Sequence, residues 1–378
     1  MSCAQLAEAR RIVIKIGSAV LADASQLCLP VLDSLAAQIA SLLGADARRR
    51  IIMVSSGAVA AGRAVIRREA GQAGQSEKQA LAAIGQARLM QAWSDAFDPY
   101  GVITAQALLT RDDFRIRERF QNAAATLNRL LDWSVVPIIN ENDTVAVHEL
   151  KFGDNDTLAS LLVNLVQADL FISLTSAPGV FAADPEKEAN PQILEVIEDI
   201  GSLNLDSLCG SRTALGSGGM HSKLMAARRV AQLGVPTLIL PGREDHILTR
   251  ALACDGKRPG TLVLPETKAV PRRKFWIAYQ SEPAGELTID AGAANALLLQ
   301  GRSLLPGGII AVSGDFPRGA LVRIIHNGDT IGVGSSNYSS DQLARIHGRK
   351  RHEIAAILGN ANYPDAVHRD NLLIDAAV

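Results

Sequence analysis

The chain has 378 residues, 48% of them hydrophobic and 20% charged, with a formal net charge of -1. Such a chain is globular and too long for one ordinary core, so two domains are expected, and no excess of positive charge points to nucleic acid as the main partner. The four cysteines, Cys3, Cys28, Cys209 and Cys254, form neither a CxxC pair nor a metal-finger spacing and are read as buried or incidental thiols.

Taken in chain order, the N-terminus carries Glu8, Arg10 and Arg11 and reaches Gly17 without a signal-peptide apolar run. No later segment reaches the roughly 20 apolar residues of a membrane span, and the expected location is the cytoplasm. Arg11 to Gly17 (RIVIKIG) reads as a buried strand closed by glycine. Leu32, Leu35, Ala36, Ile39, Leu42 and Leu43 then share one helical face, with Gly44 as the expected stop. Strands follow at Arg50–Ser55, Val102–Leu109, Val135–Ile139, Leu170–Thr175 and Val235–Leu240. Helices alternate with them at Glu77–Phe97, Glu118–Trp133, Thr157–Val166 and Met220–Leu233. This alternation predicts an α/β fold: a mainly parallel sheet between two helical layers, with ligands outside the carboxyl ends of the strands.

The pattern changes at Leu264, where LPETKAVPRRK reads as a linker. Short β-prone runs follow at Phe275–Tyr279, Glu286–Ile289, Gly308–Val312, Ala320–Ile325 and Thr330–Gly334, with helices at Ser340–Ile346 and Glu353–Leu358. They predict a small β-rich domain, a compact barrel, at 273–378 beside a larger one at 1–264.

Five polar constellations stand at predicted strand ends. Lys15, within IKIGSA, is a charge inside an apolar strand, which is costly unless the charge is used or snorkels out. Ser55, Ser56 and Gly57 make a small-residue turn that lets a ligand approach backbone N–H groups, or simply a strand-to-helix turn. Asn140, Glu141, Asn142 and Asp143 follow VVPII, where an Asx turn is the plain alternative. Gly153, Asp154, Asn155 and Asp156 open a helix, and supply three cap-type residues where one cap needs one. This segment lacks the further acidic ligands and central glycine of a calcium loop. Gly216, Ser217, Gly218, Gly219, Met220, His221, Ser222 and Lys223 precede or open another helix, whose N-terminus suits phosphate. The spacing is not that of a Walker A loop, since no glycine immediately precedes the lysine; a flexible loop is the alternative. Distant lysines, glycine-rich turns and an Asp/Asn cluster together fit phosphoryl transfer, which needs positioning and charge neutralisation more than a covalent nucleophile. Neither a hydrolytic triad nor a zinc site is read.

In order along the chain, IKIGS, VSSGAVAAG, LLTRDDF, RERFQNA, PIINENDTVA, KFGDNDTLA and GSGGMHSKL resemble the glutamate 5-kinases of the amino acid kinase superfamily. PAGELTIDAGA, SLLPGGI, VSGDFPRG, SSNYSSDQL and AVHRDNL resemble their C-terminal PUA domain, so the resemblance spans essentially the whole chain. It implies an amino acid kinase domain at 1–264, a PUA domain at 273–378, and transfer of the γ-phosphoryl of ATP to the γ-carboxylate of L-glutamate, the first step of proline synthesis. It implies Lys15, Lys223 and Asp156 as catalytic residues, the lysines neutralising phosphate charge and Asp156 orienting them. Ser56, Asp143 and Asn155, with Asn140 and Gly57 nearby, would hold glutamate. Lys15, Thr175, Ser176 and the segment Ser217, Gly218, Gly219, Met220, His221, Ser222 and Lys223 would hold ATP, with Mg²⁺ accompanying it. The resemblance further implies feedback inhibition by proline, with Leu109–Asp113 and the loop after Asp143 as candidate coupling segments, and a homodimer or homotetramer. One departure stands out: where the family has aspartate after the fifth strand, this chain has Ser176.

A substrate carboxylate, with a reference pKa of about 4.3, is already ionised at neutral pH and requires no general base. Acetylglutamate, aspartate and carbamate kinases share the superfamily sites but lack a PUA-like tail. RNA binding through Arg345, Arg349, Lys350 and Arg351, and an inactive kinase-like protein in which Ser176 replaces a needed carboxylate, are the readings of other classes.

Overall fold

The computed structural model describes residues 3–23, 26–66, 74–146, 155–183, 191–205, 208, 219–253, 258–279, 283–359 and 364–374. The chain forms two compact units, Met1–Ala269 and Val270–Val378.

In the first unit, eight strands are β1 (Arg11–Ile16), β2 (Arg50–Ser55), β3 (Thr104–Leu109), β4 (Val136–Glu141), β5 (Leu170–Thr175), β6 (Val196–Ile197), β7 (Thr237–Pro241) and β8 (Thr261–Val263). They lie in the order β3-β4-β2-β1-β5-β7-β8-β6. All ladders are parallel except β7 against β8. The central strands are buried along nearly their whole length, as a sheet covered on both faces requires, which explains their unbroken apolar runs. From β1 the chain runs outward to β2, while from β5 it runs to β7 on the opposite side. The carboxyl ends of β1 and β5 therefore border a topological switch point, where open α/β sheets place their ligands.

The helix Leu29–Ala45 buries Leu32, Leu35, Ala36, Ile39 and Leu42, the face read from the sequence. Gly44 lies inside it, so the expected stop comes one residue early. The helices Ala58–Ile66 and Gln75–Phe97 cross at close range. A Cβ at Gly85 would stand 1.8 Å from the Ala58 carbonyl oxygen, and one at Gly62 would stand 2.0 Å from that of Leu81. Only glycine permits that approach. Trp93 and Phe97, fully buried, carry the same long helix into the core beneath β2 and β4.

The second unit holds β9 (Gly285–Ile289), β10 (Ile309–Ser313), β11 (Leu321–His326), β12 (Asp329–Ser336) and β13 (Val367–Ile374) in the order β10-β9-β11-β12-β13, with β9 parallel to β11 and the other pairs antiparallel. Phe275–Tyr279, expected as a strand, belongs instead to the helix Arg272–Tyr279. Pro271 accepts from Lys274 and Phe275 at its start, and Phe275 and Tyr279, four residues apart, pack their rings with centroids 4.6 Å apart on one helical face. The spacing of four outweighs the β-propensity of the individual residues. The helix Ala291–Leu298, capped by Asp290, is an element absent from the predicted set. In the basic segment, Arg345 donates to the Ile357 carbonyl. Among the described residues no helix is long and apolar enough to cross a membrane.

Candidate active site

The carboxyl ends of β1, β2, β4 and β5 meet the N-termini of two helices, Asn155–Leu165 and Met220–Gln232. Lys15, next to last on β1, is paired in register with Val54 of β2 and Ser173 of β5, which aims its side chain out of the sheet toward the helix Asn155–Leu165. Asp156, the second residue of that helix, meets it: Lys15 Nζ lies 2.7 Å from Asp156 Oδ1. Lys223, in the first turn of the second helix, places Nζ 3.1 Å from Asp156 Oδ2. Ser222 Oγ donates to the same Oδ2 at 2.9 Å. Sequence distances of 141 residues or fewer thus close on one carboxylate.

All three charged groups are withdrawn from water: Lys15 is 3% exposed, Lys223 5% and Asp156 0%. Burial works to raise the Asp156 pKa. The opposing charges of Lys15 and Lys223, with hydrogen bonds from Lys15 and Ser222, outweigh it and hold the carboxyl below the usual carboxylate range. Among the described residues, one carboxylate lies between two ammonium groups, where burial makes charge expensive. That donor set fits an anionic ligand such as a phosphoryl group.

Beside this charged trio runs a neutral network. Asn155, adjacent to Asp156, donates from Nδ2 to Ser56 Oγ at 2.9 Å and to Asn140 Oδ1 at 3.0 Å. Asn140 Oδ1 also accepts from the Glu141 backbone at 2.9 Å, and Asn140 Nδ2 donates to Gln86 Oε1 at 2.9 Å. Beneath Ser56, Trp93 Nε1 donates to Ser55 Oγ at 2.9 Å, and Ser55 Oγ donates to the Ser56 carbonyl at 3.1 Å. Gly57 has φ of +108°, a conformation that favours glycine and that turns the chain from β2 into the next helix.

Of the residues singled out in the sequence, Lys15, Asp156, Lys223 and Ser222 form one cluster, and Ser56, Asn140 and Asn155 a second. Asp143 is half-buried in the turn after β4. Thr175 ends β5 with its carbonyl accepting from Gly242 at 2.8 Å, and Ser176 follows it exposed. Gly219 caps the helix that begins at Met220; Met220 packs into a neighbouring apolar cluster, and His221 is half-buried. Gly153, Asp154, Gly216, Ser217 and Gly218 lie outside the described residues. Sequence reasoning missed Gln86 and Trp93, seven residues apart on the buried face of one helix. The available signal was a glutamine at position 86 inside the stripe Leu81, Ala82, Leu89 and Trp93, where an apolar residue is the default.

The chain matches the amino acid kinase family over residues 10–241 and the PUA domain over residues 285–358. It is 57% identical to a glutamate 5-kinase of Nitratidesulfovibrio vulgaris over 376 residues, covering 99% of this chain and 98% of that protein. It is 56% identical to a glutamate 5-kinase of Oleidesulfovibrio alaskensis, with 99% and 97% covered, and 46% identical to one of Geobacter sulfurreducens, with 98% of each covered. Among solved structures, a carbamate kinase from Giardia lamblia bound to AMP-PNP is 18% identical, with a TM-score of 0.49 and 69% of this chain and 100% of that chain covered.

Proposed function

This chain belongs to the glutamate 5-kinase family of amino acid kinases, and from that premise we infer that it transfers the γ-phosphoryl group of ATP to the γ-carboxylate of L-glutamate. A γ-carboxylate oxygen attacks the γ-phosphorus in line as the bond to the β–γ bridging oxygen breaks, giving γ-glutamyl phosphate and ADP. The observation that carries the reading is the buried Lys15–Asp156–Lys223 trio. The obstacle in this reaction is bringing one anion onto another, and two preorganised ammonium groups held at fixed positions offset that repulsion without reorganising during the step.

Asp156 keeps both ammonium groups aimed at the reacting phosphoryl group. Gly219 and the helix N-terminus at Met220, with Ser222 and Lys223, take the nucleotide phosphates, bordered by Thr175 and Ser176, and the family resemblance assigns Ser217 and Gly218 to the same role. Mg²⁺ bound with the nucleotide would supply further charge neutralisation and, given its reluctance to dehydrate, would be held chiefly by the phosphates and water. Ser56, Asn140, Asp143 and Asn155 bind glutamate. Ser56 Oγ accepts from Asn155, so its own proton is free to donate to a substrate carboxylate. The exposed Ser176 in place of the family's aspartate leaves the β5 end anchored, because the Thr175 carbonyl still bonds Gly242. The enzyme acts in the cytoplasm as a homo-oligomer and is inhibited by proline. These three properties rest on the family resemblance; Asp113, in a candidate coupling segment, caps its own helix by accepting from Thr110.

The test is ADP release by the purified protein with MgATP, with and without L-glutamate, trapping the acyl phosphate with hydroxylamine. Glutamate-dependent ADP and hydroxamate support the reading and make Ser176 a tolerated replacement. Turnover with aspartate or acetylglutamate instead changes the substrate, and silence with every acid removes the activity.

A further inference from the structure

We propose that Gln86 is a positioning residue for glutamate, acting through Asn140 and Asn155 to fix the direction in which Ser56 donates; this rests on the glutamate-kinase reading. The side chain sits on the buried face of the helix Gln75–Phe97 and is 9% exposed. Its Oε1 accepts from Asn140 Nδ2 at 2.9 Å. An amide has a donor end and an acceptor end, and the neighbours decide which faces where. The oxygen of Asn140 faces two donors, the Glu141 N–H and Asn155 Nδ2, so its nitrogen must find an acceptor on the other side. Gln86 supplies it. Asn155 Nδ2 then gives one hydrogen to Asn140 and the other to Ser56 Oγ. Both donors of Asn155 being engaged, its Oδ1 is left as an acceptor, and the Ser56 hydroxyl is left as a donor. That polarity matches an amino acid, whose ammonium donates and whose carboxylate accepts.

The opposite end of Gln86 argues against a packing role. Gln86 Nε2 is buried with no hydrogen-bond partner among the described residues. A buried unpaired donor is destabilising, and a methionine of similar length would fill the same space without it. The glutamine makes physical sense only for the acceptor it offers Asn140. Gly85 beside it permits the close helix crossing that brings this face under the strand ends.

Gln86→Met, measured alone and in an Asn140→Ala background, tests the proposal through steady-state kinetics and thermal melting. The expected result is a glutamate KM raised about tenfold, as for one misaligned hydrogen bond, with kcat and the ATP KM changed less than about twofold and a Tm close to the parent's, since the substitution removes one buried unpaired donor (Gln86 Nε2) and leaves another (Asn140 Nδ2). In the Asn140→Ala background, Gln86→Met changes the glutamate KM less than about twofold, because the route of its effect is already gone. A parent-like glutamate KM, with or without a lower Tm, overturns the proposal. So does a tenfold effect that persists in the Asn140→Ala background. A Gln86→Met protein that does not fold marks a packing role and overturns it as well. If the parent protein itself shows no glutamate-dependent turnover, the underlying reading fails and this inference fails with it.

Discussion

Asn155 and Asp156 are neighbours at the head of one helix, yet they serve two networks of opposite character. Asp156 joins two ammonium groups with no water-exposed surface of its own. Asn155 joins amides and a hydroxyl and remains half-buried. Charge acts without fine orientation and suits a migrating phosphoryl group, whereas neutral hydrogen bonds are directional and suit the recognition of one small molecule. The proposed division assigns the charged network to the transition state and the neutral one to substrate binding.

The largest expected effect comes from breaking the charged network at its centre. Asp156→Ala leaves two buried ammonium groups facing each other, and should lower the unfolding free energy by about 3–5 kcal/mol. Chemical denaturation measures this loss, and added MgATP should recover part of it by supplying the missing negative charge. Lys15→Ala and Lys223→Ala come next, each lowering kcat at least about 10²-fold in the ADP-release assay, the usual scale for a lost charge stabiliser. Smaller again are Asn155→Ala and Ser56→Ala, which should raise the glutamate KM about tenfold while kcat moves less than about threefold.

The smallest effect is the pH response. The folded pKa of Asp156 is depressed by its two lysines against the opposing cost of burial, so its stabilisation is fully present above the unfolded carboxylate value of about 3.9. It is lost as the pH falls through the lower folded value. Between pH 5 and pH 8 the stability gap between the parent and Asp156→Asn should therefore stay constant, and below about pH 4 it should narrow.

Much of this was legible in the sequence because it is local. Continuous β-branched runs mark the central strands, and helix-spaced apolar residues mark the helices between them. Lys15 was conspicuous as a charge within RIVIKI, and Asn155 and Asp156 as an excess of cap residues. What closes the site is nonlocal: that Lys15 and Lys223 share one carboxylate follows from β1 lying beside β5, which no single segment encodes. Gln86 and Gly85 were hidden because a polar residue and a small one on a long helix look ordinary until the neighbouring helix and Asn140 are in place. Phe275–Tyr279 misled because aromatic and β-branched residues favour strands, while a spacing of four on a helix started by Pro271 decided the outcome.

The most direct test of the division between the two networks is a single kinetic comparison of Lys15→Ala with Asn155→Ala, varying glutamate at saturating MgATP. Lys15→Ala should lose kcat at least about 10²-fold with the glutamate KM within about threefold of the parent, and Asn155→Ala should show the reverse pattern. Two variants with the same balance of kcat and KM changes would contradict the division.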